Sequence, residues 1–334
     1  MRSTAGERDK QPQAPLPSRI SRFRPSGQFA AVFIGFVGLF IVAAVLSPTF
    51  LKPTNLFNLA RQAGPLAIVS VGQTFAILIG GIDLSVGSII SMTSCILCTM
   101  MMWGNAWTLP SILVALAAGS LIGLVNGLVT TLRRVPPFVV TLGMMTIVQG
   151  VALIYTGGYP TGRVSPSVQF LGAGALGPIP LLTLLALGVI VGGIFILRRT
   201  AFGRYTYAIG ANESVAYLSG VRTLSHKLKI YTLCGFMAAV AGISLSARLA
   251  VGDPFVGQGF ELDSIAAVVM GGTSLAGGIG GLGGTVLGVL IISTINNLLN
   301  LLNVSGFYQH VVKGIVIIIS VTLYKGRSRG GSMG

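Results

Sequence analysis

One carboxylate stands among the long apolar runs of this chain: Asp83, in the stretch Ile79-Gly-Gly-Ile-Asp-Leu-Ser-Val-Gly87. Two roles fit it. As an ionisable group held within a membrane it lines a gate or pathway. As an Asp just ahead of a helix opening at Leu84 to Val86, it accepts backbone N–H groups. A second, related stretch lies late in the chain: Met270-Gly-Gly-Thr-Ser-Leu-Ala-Gly-Gly278. Gly80 and Gly81 match Gly271 and Gly272, Leu84 matches Leu275, and Ser274 replaces Asp83. Paired glycine-interrupted apolar segments in the two halves of a membrane protein point to a transport route, whereas one such segment alone says only that helices pack closely. Gly80, Gly81, Asp83, Ser85, Gly271, Gly272, Thr273 and Ser274 are therefore candidate gate residues.

Uncharged polar groups supply the rest of the chemistry. Asn296, Asn300 and Asn303 recur at helical spacing, with Asn297 beside them. Asn126 holds a related place in the first half, and Gln73, Thr74, Thr141 and Gln149 add further amides and hydroxyls. Amides offer both donors and acceptors, which suits hydroxyl-rich uncharged solutes such as sugars. Interhelical hydrogen bonding is the competing role for each residue. Gln73, Asn126, Asn296, Asn297 and Asn300 are the expected pathway residues.

Several chemistries are excluded. No G-x-x-x-x-G-K-[ST] occurs, so the chain has no P-loop of its own. Two distant histidines, His226 and His310, and seven acidic residues build neither a zinc protease site nor a triad. Cys95 and Cys98 have C-x-x-C spacing but no second pair or nearby histidine, and they read as buried small side chains. No catalytic residue, metal site or bound cofactor is expected.

The elements that must position these groups are membrane helices. The 334 residues are 52% hydrophobic and 9% charged, with mean hydropathy +0.84, against about a quarter charged in soluble domains. A basic tail, 1–27, precedes ten apolar runs: Phe29–Leu46, Gly64–Ile79, Val86–Met102, Leu109–Leu132, Phe138–Tyr155, Ile179–Leu197, Leu228–Leu249, Ser264–Ala276, Gly283–Leu302 and Val311–Tyr324. The eighth is short and reads as broken or re-entrant. A tail at 327–334 follows a permease-like body of 28–326. With the N-terminus cytoplasmic, seventeen Lys/Arg fall inside and four outside. That asymmetry accounts for the net charge of +15 without nucleic acid and puts both termini in the cytoplasm. The odd number of spans counted between the glycine motifs predicts inverted repeats.

The largest internal polar segment, 198–229, contains Asn212-Glu213 and ends a short amphipathic stretch at Gly220, a glycine suited to a C-cap. Val215, Ala216 and Leu218 are expected to bury against a partner. Three stretches in order, Gly80–Gly87, Ala208-Ile-Gly-Ala-Asn-Glu213 through Leu218-Ser-Gly220, and Glu261-Leu-Asp263 through Gly278, resemble the permease subunits of bacterial ABC sugar importers. The likeness covers about 28–326 and is nearest to ribose-type permeases among those serving ribose, xylose, arabinose and galactose. It implies an all-α, type II importer-like fold in the bacterial inner membrane, working as a gated conduit. It implies a second permease copy or sister permease beside this chain in membrane lipid, two subunits that bind ATP and Mg docked on the cytoplasmic face, and a periplasmic sugar-binding protein delivering from outside. On the same resemblance Gly210, Asn212, Glu213, Ser219 and Gly220 form the coupling segment, and Asp253, Glu261 and Asp263 lie where the binding protein docks. A self-sufficient proton-coupled carrier is the alternative from another class.

Overall fold

The computed structural model describes residues 26–306 and, beyond them, Tyr308, Gln309, Val311, Val312, Gly314 and Ile315. Most of the basic tail, most of the tenth apolar run (311–324) and the C-terminal tail 327–334 lie outside the described residues. Within them the architecture is all-α. The helices are α1 (Ser26–Leu46), α2 (Pro53–Leu78), α3 (Val86–Met101), α4 (Thr108–Leu132), α5 (Pro137–Thr156), α6 (Pro166–Ala173), α7 (Leu181–Arg199), α8 (Ala201–Ala211), α9 (Glu213–Leu218), α10 (Thr223–Leu249), α11 (Phe260–Met270) and α12 (Leu282–Leu301). A two-residue hairpin, β1 (Ala175–Leu176) and β2 (Ile179–Pro180), is the only sheet among the described residues.

Six described helices are long and apolar enough to cross a membrane, and α3 is a shorter apolar helix. The spans expected at 64–79 and 264–276 take other forms. α2 starts eleven residues earlier, at Pro53 in the first turn where its missing N–H costs nothing, and runs through Pro65. From Gly64 to Leu78 every α2 residue is buried. α2 is thus the central rod of the bundle. Around it pack α7, α10, α11 and α12. The most extensive helix contact is α4 with α10. Gly119 and Gly123 of α4 lie so near Gly235 and the Tyr231 carbonyl that a side chain would overlap backbone. Small residues one turn apart permit that approach. α1 and α5 instead expose large side chains such as Ile34, Val45, Ile147 and Ile154, the pattern of lipid- or subunit-facing helices.

α11 is short, eleven residues, and the reason lies in the segment before it. From Gly252, packed on Ser94 and Cys98 near the end of α3, the chain follows α3 back to Gly257, packed on Gly87 and Ile90. Gln149 of α5 donates to the Pro254 carbonyl (2.8 Å), and Ser91 Oγ accepts from the Gly257 N–H (3.0 Å). α11 therefore begins partway down the bundle, as a half-helix whose irregular approach is buried in protein.

α12 fixes the relation between the two glycine motifs. It runs antiparallel to α2, because Thr285 meets Thr74 (2.9 Å) and Asn297 meets Asn55 (3.0 Å). It is antiparallel to α11 as well, with Gly284 on Gly271 and Gly288 on Ala267. Hence α2 and α11 run in the same direction and end at one junction. The inverted relation expected from the spacing does not hold for these two segments.

Candidate functional site

The two helix ends use the same stop. After α2, Gly80 (φ +75°) lets its own N–H reach the Ile77 carbonyl and the Gly81 N–H reach Ala76. After α11, Gly272 (φ +87°) does the same, with bonds to Val269 and from Thr273 to Val268. This is the left-handed helix stop with a six-to-one and a five-to-two bond, for which glycine carries no Cβ penalty. The structural partner of Gly80 is therefore Gly272, one residue along from the sequence match. Behind each stop comes a side-chain turn. Asp83 Oδ1 accepts from the Ser85 N–H (2.9 Å), and Ser274 Oγ accepts from the Ala276 N–H (3.2 Å).

The first break is closed and polar inside. Asp83 has no exposed surface. Its Oδ1 also accepts from Ser85 Oγ (2.6 Å), which in turn accepts from Asn126 Nδ2 (2.9 Å). With its amide set to satisfy both atoms, Gln73 donates to the Asp83 carbonyl (3.2 Å) and accepts from its N–H (3.3 Å). Thr141 of α5 reaches the Ile82 carbonyl (3.1 Å). Four candidates from three places in the sequence, Gln73, Asp83, Ser85 and Asn126, thus form one network. Asp83 Oδ2 and Asn126 Oδ1 have no hydrogen-bond partner among the described residues.

The second break is more open. Thr273 is buried and its Oγ1 accepts from the Gly281 N–H (3.2 Å), whereas Ser274 is only half-buried and Leu275 and Ala276 are exposed. Tyr207 of α8 donates to the Gly280 carbonyl (2.8 Å). Burial raises the Tyr207 phenol above its ordinary value, so it remains a donor.

These breaks meet each other and the coupling segment. Gly278 N–H donates to the Leu78 carbonyl, the last of α2, at 2.9 Å. Gly210, at the end of α8, packs against both: a Cβ there would overlap the Leu78 oxygen and the Gly278 nitrogen. The same three strands of backbone surround Gly277. α8 is not among the helices expected from the apolar runs. Its sequence, with Phe202, Thr206 and Ile209 turned inward, carries the amphipathic signal that could have revealed it.

Beyond Gly210 the chain turns into α9. Asn212 caps it, its side chain accepting from the Val215 N–H (3.1 Å), and Gly220 (φ +85°) closes it. Glu213 pairs with Lys227 of α10 at 2.6 Å. Ser219 Oγ donates to the Val215 carbonyl (2.8 Å). Of the apolar residues expected to seek a partner, Ala216 is already buried, while Val215, Leu218 and also Tyr217 are exposed, Leu218 by 82%. A cleft of about 950 Å³ runs from Tyr217 and Leu218 past Arg134 to Gly80 and Gly81.

Other candidates lie elsewhere. The asparagines divide: Asn297 makes a reciprocal amide pair with Asn55, Asn300 is exposed and accepts from Gln309 (2.8 Å), and Asn296 has a buried Oδ1 with no partner among the described residues. Of the acidic trio, Asp263 is buried and Glu261 is half-buried against Gly87, because the loop before α11 turns inward. Asp253 is partly exposed, its Oδ1 accepting from the Phe255 N–H. Cys95, Cys98 and Cys234 are buried free thiols.

Comparison with known proteins agrees with this architecture. Residues 55–321 match the family model described as branched-chain amino acid transport system / permease component. The chain is 45% identical over 300 residues to the ribose import permease protein of Bacillus subtilis (strain 168), covering 89% of this chain and 92% of that one. It is 42% identical over 293 residues to the ribose import permease protein of Escherichia coli (strain K12), covering 86% and 91%. The xylose transport system permease protein of Escherichia coli (strain K12) is 33% identical over 338 residues, covering 81% and 85%. No solved structure matches the chain. With 55–321 matched and relatives that are permeases rather than enzymes, this multi-pass, all-α membrane protein belongs to the family of branched-chain amino acid transport system permease components.

Proposed function

We propose that this chain is the permease subunit of an ATP-driven importer that carries a ribose-like monosaccharide across the bacterial inner membrane by alternating access. The family model is described for amino acid transport; the sugar reading rests on relatives named for ribose and xylose. It works with a second copy or a sister permease, two subunits that hold ATP and Mg, and a periplasmic sugar-binding protein. Both termini are cytoplasmic, on the same side as α9.

The observation that carries the mechanism is the backbone junction at Gly210. α9 presents Val215, Tyr217 and Leu218 outward, as an anchor for a groove on an ATP-binding subunit. One turn away, Gly210 touches the ends of both broken segments, through Leu78 and Gly278. Displacing α9 therefore presses on both breaks at once, with no compressible side chain between them. The Glu213–Lys227 pair ties α9 to α10, so that helix shares the load.

The test reconstitutes the full complex in proteoliposomes. Leu218→Asp places a charge on the anchor without touching the bundle. ATP-dependent uptake of ribose is expected to fall at least tenfold, and retention of the ATP-binding subunits on the tagged permease is expected to fall with it. Unchanged uptake rejects α9 as the coupling element. Gradient-driven uptake by this chain alone would instead establish the proton-coupled carrier.

A further inference from the structure

The cleft beside α9 has a wall that the coupling role of α9 does not use. Thr223, Lys227 and Tyr231 stand four residues apart on α10, so they share one face, and all three line the cleft. They cover about 12 Å of its wall at helical rise. Lys227 is neutralised by Glu213, which lines the cleft as well. Its two neighbours differ from it. Thr223 is 8% exposed and Tyr231 1%, and neither hydroxyl makes a hydrogen bond to a described residue. A buried phenol ordinarily finds a partner for its O–H. The Tyr231 side chain passes Gly127 of α4 and ends over Gly81, where a Cβ would overlap its Oη. Gly81 also lines the cleft, so glycine makes room there for a phenol whose donor and acceptor are both unused.

We propose that this wall, anchored at Tyr231, is a binding site for a neutral monosaccharide, and that imported sugar returning from the α9 side occupies it as a brake on its own uptake. The inference rests on the reading of the chain as a monosaccharide permease with α9 in the cytoplasm. Hydroxyls that lack partners select a ligand rich in hydroxyls, because each group on either side can donate and accept. Charge gives an anion no preference. The Glu213–Lys227 pair is neutral as a unit, and the one other charged residue on the lining, Arg134, is exposed to water. A cleft of about 950 Å³ is in the size range of small-molecule sites, so a pentose enters without repacking its walls. A sugar held there lies between Glu213 of α9 and Gly80–Gly81 at the first break. Movement of α9 toward the end of α2 then requires expelling it.

Equilibrium binding of tritiated ribose to the purified full chain in nanodiscs tests the site without partner subunits. Wild type is expected to bind saturably. Tyr231→Phe keeps the ring and its packing and removes only the hydroxyl, and it is expected to weaken binding about two- to tenfold, the effect of one hydrogen bond. Tyr155→Phe, which does not line the cleft, leaves binding unchanged. The brake is read in proteoliposomes of the full complex with ATP and unlabelled ribose in the lumen. Initial uptake is expected to slow as luminal ribose rises. The half-slowing concentration, taken relative to each variant's rate in sugar-free vesicles, is expected to rise in Tyr231→Phe by the same factor as the binding constant. No saturable binding by wild type, or equal binding by wild type and Tyr231→Phe, overturns the site. Tighter binding of phosphorylated ribose than of ribose overturns the neutral occupant, and uptake indifferent to luminal ribose overturns the brake. Absence of ATP-dependent uptake even by sugar-free vesicles counts against the permease reading instead, and the nanodisc measurement still decides the site.

Discussion

The two glycine breaks share a helix stop and a side-chain turn, yet they open into different surroundings. After α2 the chain meets a buried network in which Asp83, Ser85, Asn126 and Gln73 fix one another. After α11 it meets eight glycines from Gly271 to Gly284, half-exposed side chains and a chamber. The first break is cross-bonded by its own buried polar side chains, and losing one of those bonds where water cannot replace it is expensive. The second is held by backbone contacts and by a single phenol from α8. The first break is thus the more tightly cross-bonded of the two, and both touch Gly210.

Substitutions can break that contrast or sharpen it. Gly210→Val should have the largest effect, since its side chain must displace backbone of both breaks; overpacking of this kind costs about 1–3 kcal/mol or more. Uptake by the reconstituted complex should be lost, and the thermal midpoint in detergent should drop. Next comes Asp83→Ala, which leaves the Ser85 N–H unbonded in a fully buried place and should cost about 1–3 kcal/mol. Asp83→Asn keeps the accepting oxygen and should retain most of the stability. Uptake that survives this replacement argues against the proton-carrier reading, because the asparagine carries no titratable proton. Tyr207→Phe removes one hydrogen bond to Gly280 and should cost about 0.5–1.5 kcal/mol, with faster hydrogen exchange confined to 271–284. Smallest is Ser274→Ala, the counterpart of Asp83→Ala: its turn is half-exposed, water replaces the bond, and unfolding should move by less than about 0.5 kcal/mol. Equal losses in Asp83→Ala and Ser274→Ala would refute the contrast.

Much of this is legible in the sequence, and the failures have physical causes. α1, α4, α5, α7 and α12 arise from apolar runs long enough to span, and α9 from Asn212 and Gly220 as its caps. Hydropathy cuts α2 short because Asn55, Asn58, Arg61 and Gln62 interrupt it. Those polar residues sit at the end of the bundle, where Asn55 pairs with Asn297. The path of 250–259 cannot be read from local pattern. It depends on glycines at 252 and 257 meeting α3 backbone, which is a tertiary contact. The members of the network at Asp83 are identifiable residue by residue, but that Asn126 bonds to Ser85 across 41 positions is information only the packing of α4 on α3 supplies. The asparagines keep their helical spacing, while neighbouring elements, which spacing cannot reveal, give Asn297 an α2 partner and leave Asn300 exposed.

The reciprocal amide pair at the far end of α2 has a mechanical consequence. Asn55 and Thr74 fasten α2 to α12 at two heights, about 28 Å apart at helical rise, while Leu78 lies only about 6 Å past Thr74. A rod pivoting at the hydroxyl pair would swing its remote tip roughly four to five times as far as its driven tip. The amide clasp between Asn55 and Asn297 resists that swing, so a sub-ångström nudge at Leu78 is not amplified at the remote tip.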